Sequence, residues 1–364
     1  MKKWRNASII MLLLVFALSG CNNKQDDNKK TDNTKETQAI NEDDYSALLP
    51  FNVSDARYMH AGQVDNLNDT VAISNGLMEL SKEHFSPKTY AYRESQFLDY
   101  NALNTTLLGS ASETNPNGLN PSAEAVFQTK VNGTSNELSG PRLLLDVFEL
   151  DWYQGEELKG LSVSMVIRSK ITKDEVQHTI DETALNSYLN VNSQKLIEYL
   201  RDTYPQVKNL PIYLTVFDIS SDQDGVPGHF IQQAYCESRT VSLSSIEDKW
   251  VLFPTNVSGK ADEGVNTAFT QYRNQLDELG LWENNSMIGT GRFQDEHLTE
   301  LKIKVVAHAK TGAEMNAIVQ ILNENLSLFT STDYRITVDI SCDDTHYAVI
   351  ERVKGSSKTT TIYI

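Results

Sequence analysis

Cys21 is the residue whose neighbours most clearly prepare it for chemistry. It follows Leu18, Ser19 and Gly20. Its thiol is placed to form a thioether to diacylglycerol, after which a signal peptidase cuts between Gly20 and Cys21. Ser19 and Gly20 are small, as they must be where the peptidase closes around the cleaved bond. Upstream, Lys2, Lys3 and Arg5 stand without an acid, and residues 7–18 are apolar apart from Ser8. A positive start, a short apolar run and small residues at its end make a secretory signal. As a helix that run spans ~18 Å, short of the ~30 Å hydrocarbon core of a bilayer, so it is not a stop-transfer anchor. No later stretch is long and apolar enough to span either. Two acyl chains, at ~0.8 kcal/mol per buried methylene, give stable attachment. The expected location is the extracytoplasmic face of the cell membrane, held through the diacylglycerol on Cys21.

The other residue types that could react are scattered. The chain has seven histidines and three cysteines. It contains no His-Glu-x-x-His, no Gly-x-Ser-x-Gly and no P-loop, so no catalytic residue, metal or cofactor is expected. His229 and His346 occupy equivalent places in an internal repeat described below. Together with Tyr92 they are candidates for a ligand cleft; the plainer reading puts each histidine at a strand edge beside an aromatic. Asp222-x-Asp224-Gly225 has the start of a calcium loop but not its later ligands or closing Glu, and reads as a turn. With Cys21 lipidated, Cys236 and Cys342 form either one disulfide or, the expectation here, two buried thiols. Three cysteines exclude a disulfide framework. Tyr90, Tyr92, Phe97 and Tyr100 line a groove or pack in the core.

The chain carries a net charge of −17 over 364 residues, and its first twenty residues hold three cations and no acid, so from Cys21 onward it stands at −20. Such acidity argues against nucleic acid as a partner and against adhesion to anionic headgroups.

The elements that must position these groups follow in order. Residues 1–20 are the signal and residues 21–44 a lipidated N-terminus and linker. The linker has almost nothing apolar and cannot offset its ordering entropy. The body begins near Tyr45. Residues 66–85 carry apolar residues at helical spacing, residues 90–100 are partly strand, and residues 109–140 form a turn-dense loop. An internal repeat then emerges. Leu161, Val163, Met165 and Ile167 alternate, as do Leu301, Ile303, Val305 and Ala307, each set marking a strand. A helix follows each. Leu196, Ile197, Leu200 and Tyr204 make one helix face, after an extra helical stretch over residues 174–190. Met315, Ile318, Val319, Leu322 and Leu326 make the other, opened by a Thr311–Glu314 capping box. Strands over 212–220 and 334–341 share an Asp-Ile-Ser, and a last strand opens with His229-Phe230 or His346-Tyr347. Each unit is thus β-α-β-β. Val265, Phe269, Tyr272, Leu276 and Leu279 predict a helix before the second unit, ended by Gly280. The fold class is α+β, two tandem repeats with mixed sheets and packed helices. The first repeat domain covers 45–248 and the second 249–364, joined near an edge strand at residues 250–254.

With these motifs in place, the sequence resembles a known family. Residues 45–51, 115–121, 226–230 and 250–254, together with the twofold repeat, are similar to the CamS family of sex-pheromone precursor lipoproteins. The resemblance covers the Leu18–Cys21 processing site and essentially the whole body. It implies that a short hydrophobic peptide is released from the signal peptide: Leu14, Val15, Phe16, Ala17, Leu18, Ser19 and Gly20. Peptidase cleavage before Cys21 makes its C-terminus and a membrane protease trims its N-terminus, so lipoprotein-processing and peptide-trimming proteases are implied partners. Such a peptide promotes plasmid conjugation in that family. The retained body is expected to be a non-enzymatic binding module for an unknown ligand, in a cleft between the repeats. The alternatives are a cell-envelope hydrolase and a purely structural surface protein.

Overall fold

The structure is a computed structural model and describes residues 34–41, 43–51, 54–60, 67–221, 225–255, 263–278, 280 and 283–364. Cys21, residues 14–20, Asp222, Asp224 and Leu279 lie outside the described residues. Residues 34–364 form one compact unit.

In chain order the first part contains β1 (Lys35–Glu36), β2 (Ser46–Leu49), α1 (Asp55–His60), α2 (Leu67–Ser81), β3 (Ala91–Glu94) and a π-helix (Ala102–Leu107). There follow β4 (Val126–Val131), β5 (Thr134–Ser139), β6 (Leu144–Gln154), β7 (Glu157–Ile167), β8 (Lys170–Lys173), β9 (Val176–Ile180) and α3 (Glu182–Thr203). Then come β10 (Ile212–Asp218), β11 (His229–Cys236) and β12 (Ser244–Ser245). The second part contains β13 (Asp248–Phe253), α4 (Glu263–Glu278), β14 (Asn285–Gln294), β15 (His297–Ala307), α5 (Gly312–Asn325), β16 (Arg335–Cys342), β17 (Thr345–Arg352) and β18 (Thr360–Tyr363).

An eight-stranded mixed sheet has the order β1-β2-β3-β6-β7-β10-β11-β12, and a six-stranded sheet runs β13 to β18 in sequence order. A small third sheet has the order β5-β4-β9-β8. The pairings in the two large sheets match. Strands β6 and β7 are antiparallel, β7 and β10 parallel, and β10 and β11 antiparallel. Likewise β14 and β15 are antiparallel, β15 and β16 parallel, and β16 and β17 antiparallel. The parallel return in each passes through a helix, α3 or α5, as a parallel pair requires.

The burial pattern explains the layering. Strand β15 alternates, with Leu301, Ile303, Val305 and Ala307 buried and Lys302 and Lys304 exposed or half-exposed. Its inner face meets α4 and α5 in one core that includes Phe269, Tyr272, Ile318 and Leu322. Strands β6 and β10 are buried nearly throughout, the pattern of strands covered on both faces. One face of the eight-stranded sheet packs on α3 through Leu189, Leu196 and Leu200. The other packs on α2 through Ile73 and Leu77, with Phe85, Trp152 and Tyr213.

Several local expectations change. Residues 174–180 are not helical: β8 and β9 form a hairpin, and Asp174 and Glu175 both take positive φ in its turn. Helix α3 starts only at Glu182, where the Asp181 carboxylate accepts from the Thr183 amide. The second half of the turn-dense stretch 109–140 is the β4–β5 hairpin. Its Asn132-Gly133 turn has positive φ at both residues, as a two-residue turn matched to strand twist demands. Each large sheet also gains a strand before the expected unit, β6 or β14. Gly289 and Gly291 dilute the strand pattern of β14, yet a Cβ at Gly289 would lie 2.7 Å from the Phe269 ring. Order begins ahead of Tyr45, because Glu36 and Lys35 pair with Leu48 and Leu49. Other expectations hold: β13 is an edge strand, the Thr311–Glu314 capping box is formed, and Gly280 has φ +67° just beyond α4.

The two large sheets meet through a buried ion pair. Asp248 at the start of β13 accepts from Arg292 of β14 at 2.9 and 3.2 Å, and also from the Phe230 amide of β11 at 3.0 Å. The Phe230 ring fills the gap left by Gly76 of α2, where a Cβ would lie 2.3 Å from the ring. The stretch before it is as tight: the Gly228 amide donates to Asp69 at 2.7 Å, and a Cβ on Gly228 would lie 2.1 Å from the Asp218 carbonyl.

Candidate functional site: a polar cleft beside a pi-helix

The segment 95–121 owes its shape to β6. Glu149 and Asp151 are two residues apart and point to one face of the strand. Glu149 accepts from the amides of Phe97 and Leu98 at 2.9 and 2.7 Å, and Asp151 from the Gln96 amide at 3.1 Å. Both carboxyls are fully buried. Desolvation raises both above the ordinary carboxylate range, and the neighbouring charge of Glu149 adds to the rise at Asp151. Glu94 is raised as well, by burial first.

The clamped loop leads into the π-helix. Asp99 caps its start by accepting from the Ala102 amide at 2.8 Å, and the Leu108 amide reaches back to the Leu103 carbonyl at 2.9 Å. A π-helix is rare and often marks a functional site. Its terminal carbonyls need partners, and residues 115–120 provide them. The Asn115 side chain donates to Thr106, the Leu119 amide to Leu107, and the Asn120 side chain to Leu108, at 2.8 to 2.9 Å. Asn120 also donates to the Leu144 carbonyl and accepts from the Leu143 and Leu144 amides, each at 2.9 Å. Gly118 is obligatory here, since a Cβ would lie 2.5 Å from the Ser110 carbonyl. Lys195 of α3 donates to the Gly118 carbonyl at 2.8 Å.

These three segments leave a cleft of about 390 Å³ between Asn104, Gly109, Ser110, Asn120, Gly140 and Arg142. Asn120 is consumed by structure. Asn104, Ser110 and Arg142 bring an amide, a hydroxyl and a guanidinium, and the wall holds no acid, histidine or cysteine. Such a lining is suited to orienting polar groups, and it sets no histidine or carboxylate beside the Ser110 hydroxyl. A second cavity of about 350 Å³ lies between β5 and β8, lined by Glu137, Lys173, Asp174 and His178 among others. His178 is buried, and its Nδ1 is 3.1 Å from the Thr129 hydroxyl.

The residues expected to share a ligand cleft are apart. His229 opens β11, in register with Asp218. His346 is on β17 in the other large sheet, exposed, with Nδ1 3.0 Å from an Asp339 oxygen. Tyr92 on β3 packs beside Trp152 and Phe51, with ring centroids 6.5 and 6.0 Å away. None of the three lines either cavity. Tyr90 and Tyr92 pack against the core, as does Phe97. Cys236 and Cys342 are both free; Cys236 is buried, with its thiol pushed up to about 11, and Cys342 is half-buried in the other sheet. Among the described residues no group of three or more His, Cys, Asp or Glu is arranged to hold a metal. The clamp carboxylates were not anticipated from sequence, although two acids at alternate positions inside the apolar run Leu143–Tyr153 are a signal of it.

The fold is that of a mixed-sheet α+β protein with a polar cleft beside its π-helix. The family model described as CamS sex pheromone cAM373 precursor matches residues 51–358, and the chain belongs to that family. The crystal structure of a sex pheromone precursor from Lactobacillus salivarius subsp. salivarius is similar, with a TM-score of 0.79 and 20% identity over 91% of this chain and 99% of that one. The C-terminal domain of the sex pheromone staph-cAM373 precursor from Staphylococcus aureus is similar at TM-score 0.67 and 22% identity, over 84% of this chain and 99% of that one. At these identities the likeness is one of fold. No curated protein matches the chain.

Proposed function

We propose that the chain is a membrane-anchored lipoprotein whose cleaved signal peptide is processed to a hydrophobic pheromone promoting plasmid conjugation. Its retained body is a non-enzymatic binding module. Membership of the precursor family carries the reading, and the Leu18-Ser19-Gly20-Cys21 sequence supplies the processing site. Lipidation of Cys21 holds the body at the extracytoplasmic face of the cell membrane. Cleavage before Cys21 leaves Gly20 as the peptide's C-terminus, and trimming yields Leu14 to Gly20. That heptapeptide has no charged side chain, so it can leave the bilayer and enter an apolar pocket on a partner. The composition of the cleft wall, with amides, a hydroxyl and one guanidinium but no acid or histidine, favours binding over hydrolysis in the body.

The test is mass spectrometry of culture supernatant from cells expressing wild type or Cys21→Ala. Wild type is expected to release a peptide ending at Gly20, and the variant to release none. Wild-type cells that release no such peptide exclude the precursor role for this chain.

A further inference from the structure

We infer that the cleft beside the π-helix binds an oxyanion, a carboxylate or a phosphate monoester, through the guanidinium of Arg142. The inference rests on the reading of the body as a binding module and specifies what that module takes. Two observations carry it.

The first is what most of the other described arginines do, although Arg93 only donates to the Leu48 carbonyl and lies over the Tyr153 ring, and Arg168 shares with Arg142 the lack of a carboxylate partner among the described residues. Arg57, Arg239, Arg292 and Arg335 each pair with a carboxylate. Arg201 and Arg352 are buried and spend their guanidinium groups on backbone carbonyls. Arg142 is exposed at the mouth of the cleft, and among the described residues no carboxylate pairs with it. The second is the wall itself. The chain has 49 acids against 32 bases, yet no acid lines this cleft, while the polar residues Asn104 and Ser110 do. A planar guanidinium beside neutral donors suits the two oxygens of a carboxylate or phosphate. The volume, about 390 Å³, stands at the lower end of the range for ligand pockets, ~300–1,000 Å³. The ligand is therefore a small polar molecule, or the terminus of a larger one. Rigidity comes from below, where Asn120 ties the cleft floor to β6 and Lys195 ties the Gly118 loop to α3.

The experiment follows backbone amide shifts of Gly109, Ser110 and Gly140 in the full mature chain. Three probes separate the sources: inorganic phosphate, glycerol 3-phosphate and N-acetyl-Ala-Gly, whose only charge is a C-terminal carboxylate. Saturable shifts with at least one probe are expected, weakened roughly tenfold or more in Arg142→Gln, the loss of one charge-assisted hydrogen bond. Arg239→Gln, which removes a surface cation elsewhere, should leave the affinity unchanged. A response to the phosphates alone assigns a phosphate ligand, and a response to the peptide alone assigns a chain terminus. Equal binding by wild type and Arg142→Gln, or equal weakening in Arg239→Gln, overturns the inference. So does silence with all three probes. In that case N-acetylglucosamine serves as a neutral probe, and shifts at the same amides would leave the binding module standing without its oxyanion. Thermal unfolding of Arg142→Gln at the wild-type midpoint shows that the exposed side chain was not holding the fold.

Discussion

Two carboxyls on β6 hold the loop that leads to the cleft, and each does so at a cost in desolvation. Glu149 and Asp151 accept three backbone amides between them, and burial raises both. A carboxyl whose folded pKa lies above its unfolded value binds more protons folded than unfolded. Stability then falls as pH rises from the ordinary carboxylate range, ~4, through the raised folded value, and is level above it. Asp151→Asn keeps the oxygen that accepts from Gln96 and removes the proton exchange. The variant's urea midpoint should therefore vary less between pH 5 and pH 8 than that of wild type, and lie above it at pH 8. Parallel curves for the two proteins would show that Asp151 is not the source of the pH dependence.

Each helix that crosses a large sheet must hand the chain back to a parallel strand, and in both sheets a buried arginine fills the turn. Arg201 on α3 donates to the carbonyls of Lys208 and Leu210 at 2.8 and 2.9 Å, and to Cys236 on β11 at 2.9 Å. Arg352 on β17 donates to Phe329 and Ser331 in the turn after α5. The arginines come from different elements, so the solution is shared while the positions are not. A buried charge with no carboxylate partner is tolerated here because charge-assisted bonds to carbonyls replace its hydration. Arg201→Met should leave several carbonyls unsatisfied and cost about 2–4 kcal/mol. Equilibrium urea unfolding measures it, and a loss under about 0.5 kcal/mol, the usual range of surface substitutions, would show that water replaces the guanidinium.

Across the whole molecule, the eight-stranded and six-stranded sheets each bury a core of their own, and they meet at Phe230, Asp248 and Arg292. The motifs at residues 226–230 and 250–254 lie at or beside this junction. Their glycine and aromatic character suits close packing between the sheets. Asp248→Ala strands a buried Arg292 and frees the Phe230 amide, a change that should cost about 3–5 kcal/mol. Because the pair joins two cores, calorimetry of the variant is expected to show two transitions where wild type shows one. A single transition at a lower temperature would mean that apolar contact alone keeps the sheets cooperative.

The sequence by itself determined what depends on covalent order and short-range period. Leu18 to Cys21 is a chemical signal written in adjacent residues. The helix faces at 196–200 and 315–322, the Thr311–Glu314 box and the alternation of β7 and β15 were legible because side chains three, four or two positions apart share a face. Local period failed where a turn lacked its usual glycine, as at Asp174-Glu175, and where glycines made room for rings, as in β14. The tertiary structure alone decided the cleft, which joins residues near 104–110, 120 and 140–142. It also placed Asp69 on Gly228, 159 positions away, and separated His229 from His346, whose matching places in the sequence point to one cleft. Periodicity tells which side chains turn inward; only the packing of distant segments settles which of them meet.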